Sequence, residues 1–262
     1  MTLRIRPARP EDYPCFARWF PMLESGDRVP SREEWTRAFV PETSIALLGE
    51  EPAGYCRAQV FGTDGYVRHL VVEPSARRGG VGRALLDRVQ ASMRAAGCER
   101  WRINVKPDNT AAVRLYTSLG MTVQHECASV RFEWVLLDAL PSPSEALSSF
   151  EPDGEQRRAL ESTYSLPMGQ LSTADERDDV HVRAVRGQEL EGVALFYADF
   201  PGAFPFRADS VDAAMSLLHG IRPLATQPSM GLVVENDMAL ENVMVDAGAR
   251  VPFRFVHMRG RL

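Results

Sequence analysis

Lysine is almost absent: Lys106 is the only one among 30 basic residues in a chain of 262. Such arginine usage fits a GC-rich bacterial genome. Long apolar runs are missing too, and none approaches the roughly 18 residues of a membrane span. The N-terminus carries Arg4, Arg6 and Arg9 with no apolar stretch behind them, so no secretory signal is read there and a cytoplasmic location is expected. Cysteines are few. Cys15, Cys56, Cys98 and Cys127 show neither paired spacing nor histidine companions, which excludes a disulfide framework or zinc site and leaves them as small core residues; no metal is expected. No stripe of basic and aromatic residues suggests nucleic acid. With 45% hydrophobic residues and net charge −5, the composition is that of one large or two ordinary packed domains, and two is the expected number.

What is present centres on Arg77-Arg78-Gly79-Gly80-Val81-Gly82-Arg83. Before it, His69-Leu70-Val71-Val72-Glu73-Pro74 reads as a strand stopped by a proline that cannot donate to a ladder. After it, Val81, Leu85, Val89 and Met93 recur on one helix face, and Gly97 gives a C-terminal stop. Strand, glycine-rich turn and helix therefore follow one another. Glycines let the backbone close around an anion, first-turn amides lack intrahelical partners, and the helix dipole adds positive potential. Three arginines in seven residues fit a pyrophosphate. A P-loop would need Lys-Ser/Thr after Gly82, where Arg83-Ala84 stands, and a dinucleotide fingerprint a small residue at Leu85.

Val72-x-Pro74-x-x-Arg77-x-x-Gly80-x-Gly82 resembles the acyl-coenzyme A signature of the GNAT superfamily of N-acyltransferases. Asn109-Thr110-Ala111-Ala112-Val113-Arg114-Leu115-Tyr116-Thr117-Ser118-Leu119-Gly120-Met121 is similar to that family's Asn-x-x-Ala-x-x-Leu-Tyr-x-x-x-Gly-Phe helix, with Met for Phe at the end. Leu3 to Asp12 resembles its first strand and turn. The resemblance covers residues 1 to about 138. It implies the GNAT fold, an α/β (α+β) mixed sheet, and acetyl-CoA as co-substrate, bound by Leu70, Val71, Val72, Arg77, Arg78, Gly79, Gly80, Val81, Gly82, Arg83, Asn109 and Tyr116. The expected reaction is direct acetyl transfer to an amine of a small molecule. The alternatives are a protein or peptide acceptor, with an open groove, or an acyl-CoA-binding sensor without turnover. A single lysine leaves little to self-acetylate.

The chemistry needs a base and an acid. An attacking amine has an unperturbed pKa of about 10.4 and must first lose a proton. Where the resemblance implies a carboxylate or histidine, this chain has Arg68 and Tyr66. His69, one residue along, reaches the cleft if a bulge re-aims it; Glu24, Glu33 and Glu73 are the other candidates, acting through water. Tyr116 fits the acid, since a phenol near pKa 10 is protonated when a thiolate leaves. An amide at Leu70 to Val72 would hold the oxyanion, on a strand splayed from its neighbour so that pantetheine can pair along it. Phe16, Trp19, Phe20, Trp35 and Phe39 cluster where relatives cover the acceptor; most read as core, one or two as pocket wall. Ser31-Arg32-Glu33-Glu34 is a capping box opening a helix there.

The composition shifts after Asp138 to a stretch rich in Pro, Ser and Gly. Expected domains are 1–138, a linker over 139–154, and 155–262. The halves differ in charge: residues 1–138 hold 19 basic and 17 acidic residues, 139–262 hold 11 and 18. The second half reads as a worn copy of the first. A shift of 128 residues takes Gly120 to Gly248, Ala111 to Ala239 and Leu115 to Val243, but Tyr116 to Met244. Strands are expected at Gly231–Glu235 and Val251–Met258, and helices at Met238–Ala247 and near Ser210 to Leu218. Nothing there repeats Arg-x-x-Gly-x-Gly. Two GNAT-like modules in tandem, the second degenerate and unable to hold coenzyme A in the usual way, are therefore expected. Asp175 to Asp179 reads as a solvated loop. The partners expected are a small-molecule amine and no nucleic acid or membrane, in a monomer or homodimer.

Overall fold

The computed structural model describes residues 2–262. The chain gathers into two compact units, Met1–Gln124 with His257–Leu262, and His125–Val256. No helix among the described residues is long and apolar enough to cross a membrane.

In the first unit β1 (Leu3–Pro7) turns into α1 (Tyr13–Trp19). The turn is pinned by Asp12, which accepts from both guanidinium nitrogens of Arg6 at 2.8 and 2.7 Å and from the Arg9 amide at 2.7 Å. A bidentate, largely buried pair of this kind fixes geometry as well as charge. α2 (Arg32–Glu34) opens on the expected capping box: Ser31 Oγ accepts from the Glu34 amide at 3.1 Å, and Glu34 Oε2 from the Ser31 amide at 2.6 Å. Wider turns carry it on to Phe39.

The strands β2 (Thr43–Leu48), β3 (Glu51–Phe61), β4 (Asp64–Val72) and β5 (Arg100–Val105) stand side by side after β1. All pairings are antiparallel except β4 with β5, which is parallel because α3 (Val81–Ala95) crosses between them. β5 alternates buried Trp101, Ile103 and Val105 with half-buried Arg100, Arg102 and Asn104, the period of a strand packed on one face. α3 buries Val81, Leu85, Val89 and Met93, as their spacing predicts, and adds Leu86. It lies so close to β4 that a Cβ at Gly65 would overlap the Met93 sulfur. α4 (Thr110–Ser118) and the start of β6 (Thr122–Glu133) follow, and the final residues of β12 (Arg250–Arg261) complete this unit beside β5, where the Leu262 amide donates to Glu99 O at 2.9 Å.

The second unit repeats the order of elements: β7 (Ser148–Phe150), α5 (Gly154–Thr163), β8 (Val180–Arg186), β9 (Leu190–Tyr197), β10 (Gly202–Ala208), α6 (Val211–Ile221), β11 (Ser229–Glu235) and α7 (Met238–Asp246). Its sheet runs β7-β8-β9-β10-β11-β6, again with one parallel pair, β10 with β11. The shift of 128 residues carries Thr110–Ser118 onto Met238–Asp246 and Thr122–Glu133 onto Arg250–Arg261, end for end. Gly120 and Gly248 close the two helices at φ +83° and +109°. An apolar core of Phe132, Phe196, Phe206, Met215 and Leu217 holds this unit together.

Three expectations differ from what is observed. The units part at Gln124 and again at Val256, not after Asp138, because β6 pairs with β11 along Cys127 to Glu133 while the last residues return to β5. Of the stretch read as linker, Ser148–Phe150 is a strand paired with β8. The strand read from His69 begins at Asp64. Non-local pairing decides each of these, and composition is blind to it.

Candidate active site

β4 ends at Val72, and a turn at Pro74–Ala76 leads into Arg77, Arg78 and Gly79. Gly80, at φ +79°, is the N-cap of α3 and gives the helix no side-chain acceptor. A Cβ at Gly80 would meet nothing within 4 Å, so no protein atom requires glycine for space there. The left-handed backbone and the bare first turn of a 15-residue helix do. The result is a concavity of unpaired amides at the positive end of a dipole, the arrangement that binds phosphate. Arg77 and Arg78 are exposed beside it, Arg77 Nε donating to Val72 O at 3.2 Å. Arg83 turns along the helix instead, to Asp87 at 3.1 Å and Ser118 Oγ at 3.3 Å. Val81 is buried, and a Cβ at Gly82 would come within 3.5 Å of the Val72 and Leu115 side chains, which sets the loop against α4.

The neighbouring strands part at this point. β4 pairs with β5 from Asp64–Arg100 only as far as Val67–Ile103, although β4 runs on to Val72. Against β3 the register also slips: Ala58 faces Val67 but Arg57 faces His69, leaving Arg68 as an extra residue. This is the β-bulge that the His69 assignment requires. Beyond it Leu70, Val71 and Val72 have a β3 neighbour and no β5 neighbour, so one edge of the strand is open to an extended ligand.

The bulge turns His69 toward the aromatic cluster. Phe20 meets its ring edge-on at 5.6 Å, Phe39 lies at 6.0 Å, and the Tyr55 hydroxyl is 3.4 Å from Nδ1. Burial first, then the charges of Arg57 and Arg68, hold the imidazole well below its ordinary pKa, so it is neutral near pH 7. A neutral ring can accept a proton, but one with a lowered pKa holds it weakly. Phe16, Trp19 and Trp35 are fully buried, Phe16 stacking on Trp35 at 4.3 Å; they are core, and Phe20 and Phe39 form the wall against His69.

The three carboxylates differ. Glu73 accepts from Trp19 Nε1 at 2.6 Å and from Arg18 at 3.0 Å, and these bonds hold its pKa down, which weakens it as a base. Glu24 pairs with Lys106 at 3.0 Å, and Glu33 is exposed on α2. Asn109 caps α4, its Oδ1 accepting from the Ala112 amide at 3.2 Å. Tyr116 on that helix is 4% exposed, and its hydroxyl has no hydrogen-bond partner among the described residues. Burial, with Cys56 adding a smaller part, raises its pKa, so the phenol stays protonated. The Tyr55 contact and the Glu24–Lys106 pair carry no sequence signal, since their partners lie 14 and 82 residues apart.

The second unit has lost these features. Between β10 and α6 stand only Asp209 and Ser210, where the first unit has residues 73–80. Ser210 Oγ accepts from the Ala213 amide at 3.1 Å, filling the first turn, and Asp212 puts a negative charge there. Pairing of β10 with β11 also stops early, at Ala203–Leu232, but an ion pair of Arg207 with Glu235 bridges the strands beyond it. Met244, fully buried, takes the place of Tyr116.

Residues 8–121 match the family model for the Acetyltransferase (GNAT) family. Over 68 residues the chain is 43% identical to the mycothiol acetyltransferase of Thermobispora bispora, covering 25% of this chain and 23% of that protein. It is 33% identical over 85 residues to an acetyltransferase of Yersinia enterocolitica, covering 32% and 57%. The matched stretches thus span about a quarter and somewhat over half of those relatives. A GCN5-related N-acetyltransferase from Sphaerobacter thermophilus shares the fold over 99% of this chain and 95% of its own, with TM-score 0.67 and 17% identity. A tandem GNAT protein from the clavulanic acid biosynthesis pathway does so over 99% and 98%, with TM-score 0.58 and 15% identity. Residues 8–121 are thus a GNAT acetyltransferase domain, and the fold of nearly the whole chain is shared by a tandem GNAT protein.

Proposed function

We propose that the first unit transfers the acetyl group of acetyl-CoA directly to an amine of a small molecule, and that the second unit binds no coenzyme A. The observation that carries this reading is the coincidence of the bare N-terminus of α3 with the parting of β4 from β5. Val81, Gly82 and Arg83 would offer amides to the pyrophosphate, with Arg77 and Arg78 adding charge. The free edge of Leu70 to Val72 would pair with the pantetheine arm and present an amide to the developing oxyanion. His69 would accept the amine's proton, and the Tyr116 hydroxyl would donate toward the departing sulfur. The enclosing aromatics Phe20 and Phe39 suit a compact acceptor. The fit of the donor rests on Gly80, whose missing side chain leaves the cradle open.

The weak basicity of His69 and the engagement of Glu73 favour a second reading, a sensor that binds acyl-CoA without turnover. One experiment separates the two. Calorimetry should give one acetyl-CoA site per chain, and thiol release should rise above hydrolysis with at least one member of a panel of small amines. Binding without acceptor-dependent release across that panel would favour the sensor, and two equivalent sites would refute the division of labour between the units.

A further inference from the structure

The sole lysine of the chain stands at the opening between β4 and β5. Lys106 is the first residue after β5 ends at Val105, on the strand whose pairing with β4 stops at Ile103. Its Nζ reaches Glu24, donating to the carboxylate at 3.0 Å and to the backbone carbonyl at 3.1 Å. Glu24 ends the short helix Phe20–Leu23, whose Phe20 packs on His69. The lysine therefore stretches from the β5 side of the opening to the element lying on the β4 side. Its side chain is 24% exposed, so its amine is shielded without being sealed. Glu24 itself holds φ +50°, a conformation that costs a non-glycine residue free energy and persists where surrounding contacts enforce it.

We propose that Lys106 is an acetyl acceptor in cis, modified by the chain's own bound acetyl-CoA. This rests on the donor reading given above. A proton leaves the Lys106 ammonium to water, and the neutral amine attacks the acetyl carbonyl. The N–C bond forms and the C–S bond breaks, with the second nitrogen proton leaving and the thiolate protonated, so that an amide and free coenzyme A result. No oxidant or other reactant is needed. The amide carries no charge and cannot hold the Glu24 carboxylate as an ion pair. The turn at Glu24 is then released, which couples the acylation state to the wall of the acceptor pocket.

The test incubates the full chain with acetyl-CoA and no acceptor, followed by intact mass and peptide mapping. Having one lysine makes the readout unambiguous: one acetyl group on Lys106, absent from Lys106→Arg. Since proximity is what accelerates the step, the rate should exceed that of the urea-unfolded chain on the order of a hundredfold or more. It should fall roughly tenfold or more in Arg77→Glu and in Gly80→Trp, which disturb the cradle by different means. An unmodified Lys106, label at the N-terminal amine alone, or equal rates in the folded, unfolded and cradle-variant chains would each overturn the proposal. Calorimetry on the same sample separates the two levels. Acetyl-CoA bound with Lys106 unmodified refutes this inference alone, and absence of binding refutes the donor reading and the inference with it.

Discussion

Replacing Tyr116 by Phe tests the chemistry most directly, because the environment of the hydroxyl sets the expected size of the effect. The ring is 4% exposed and the hydroxyl makes no hydrogen bond among the described residues, so Phe keeps the packing and removes a polar group. Since no hydrogen bond is broken and the ring packing is kept, the melting temperature should stay level, with stability changed by no more than about 0.5 kcal/mol. Acetyl-CoA affinity should change less than about threefold, since the ground state uses the ring and not the oxygen. Turnover should fall. The thiol of the leaving group has a pKa of roughly 8.5 and a free phenol about 10, so complete proton transfer is uphill by about 2 kcal/mol or more. Burial raises the phenol further and makes Tyr116 a weaker acid than free tyrosine. It then acts mainly as a hydrogen-bond donor to developing charge, and the loss should be about ten- to a hundredfold, at or below the low end of general acid catalysis. The assay is thiol release at saturating acceptor, with a single-turnover measurement to confirm that chemistry limits. Unchanged single-turnover rates would show that the hydroxyl has no part in the reaction, and a large loss of acetyl-CoA affinity would show that the side chain acts in binding.

Other outcomes follow from the same geometry. Arg77→Glu, on an exposed side chain, should leave thermal stability within about 0.5 kcal/mol of wild type and weaken acetyl-CoA binding about ten- to a hundredfold, as calorimetry would show. Gly80→Val places a β-branched residue at φ +79°; it should cost about 1–2 kcal/mol in a urea melt and also reduce binding. The Asp12 carboxyl is held below its ordinary pKa by the Arg6 and Arg9 hydrogen bonds, against the opposing effect of burial. Its contribution to stability is therefore complete above about pH 4 and lost as pH falls through the folded-state value, so Asp12→Asn should flatten the acid limb of a stability–pH curve. His69, lowered in the fold, makes the native state bind fewer protons than the unfolded chain below about pH 6.5. His69→Phe should remove that part of the pH dependence and depress turnover; an unchanged rate would exclude it as base.

Much of the first unit is legible in the chain. Pro74, the Arg77–Arg83 run and the Val81-Leu85-Val89-Met93 spacing fix a strand, a loop and a helix within about thirty residues, because each rests on local backbone chemistry or a short period. The capping box at Ser31 and the glycine stops at Gly120 and Gly248 are local in the same way. The decay of the second unit is partly legible: its missing glycine loop and Met244 can be read off directly. That Ser210 and Asp212 occupy the first turn of α6, and that Arg207 and Glu235 bridge its parted strands, only the packed unit decides. The role of His69 is open in the sequence, since alternation alone aims it the wrong way. The bulge at Arg68 depends on β3 and β4 slipping by one residue, which is a property of two strands paired and not of either alone. The unit boundaries likewise follow from β6 pairing with β11 and the C-terminus pairing with β5, contacts about a hundred residues or more apart along the chain. Sequence determines what each segment can form and which chemical groups it carries, because propensity and period act over a few residues. Tertiary structure alone determines which of those groups meet, because register, bulges and strand neighbours are set by burial across the whole sheet.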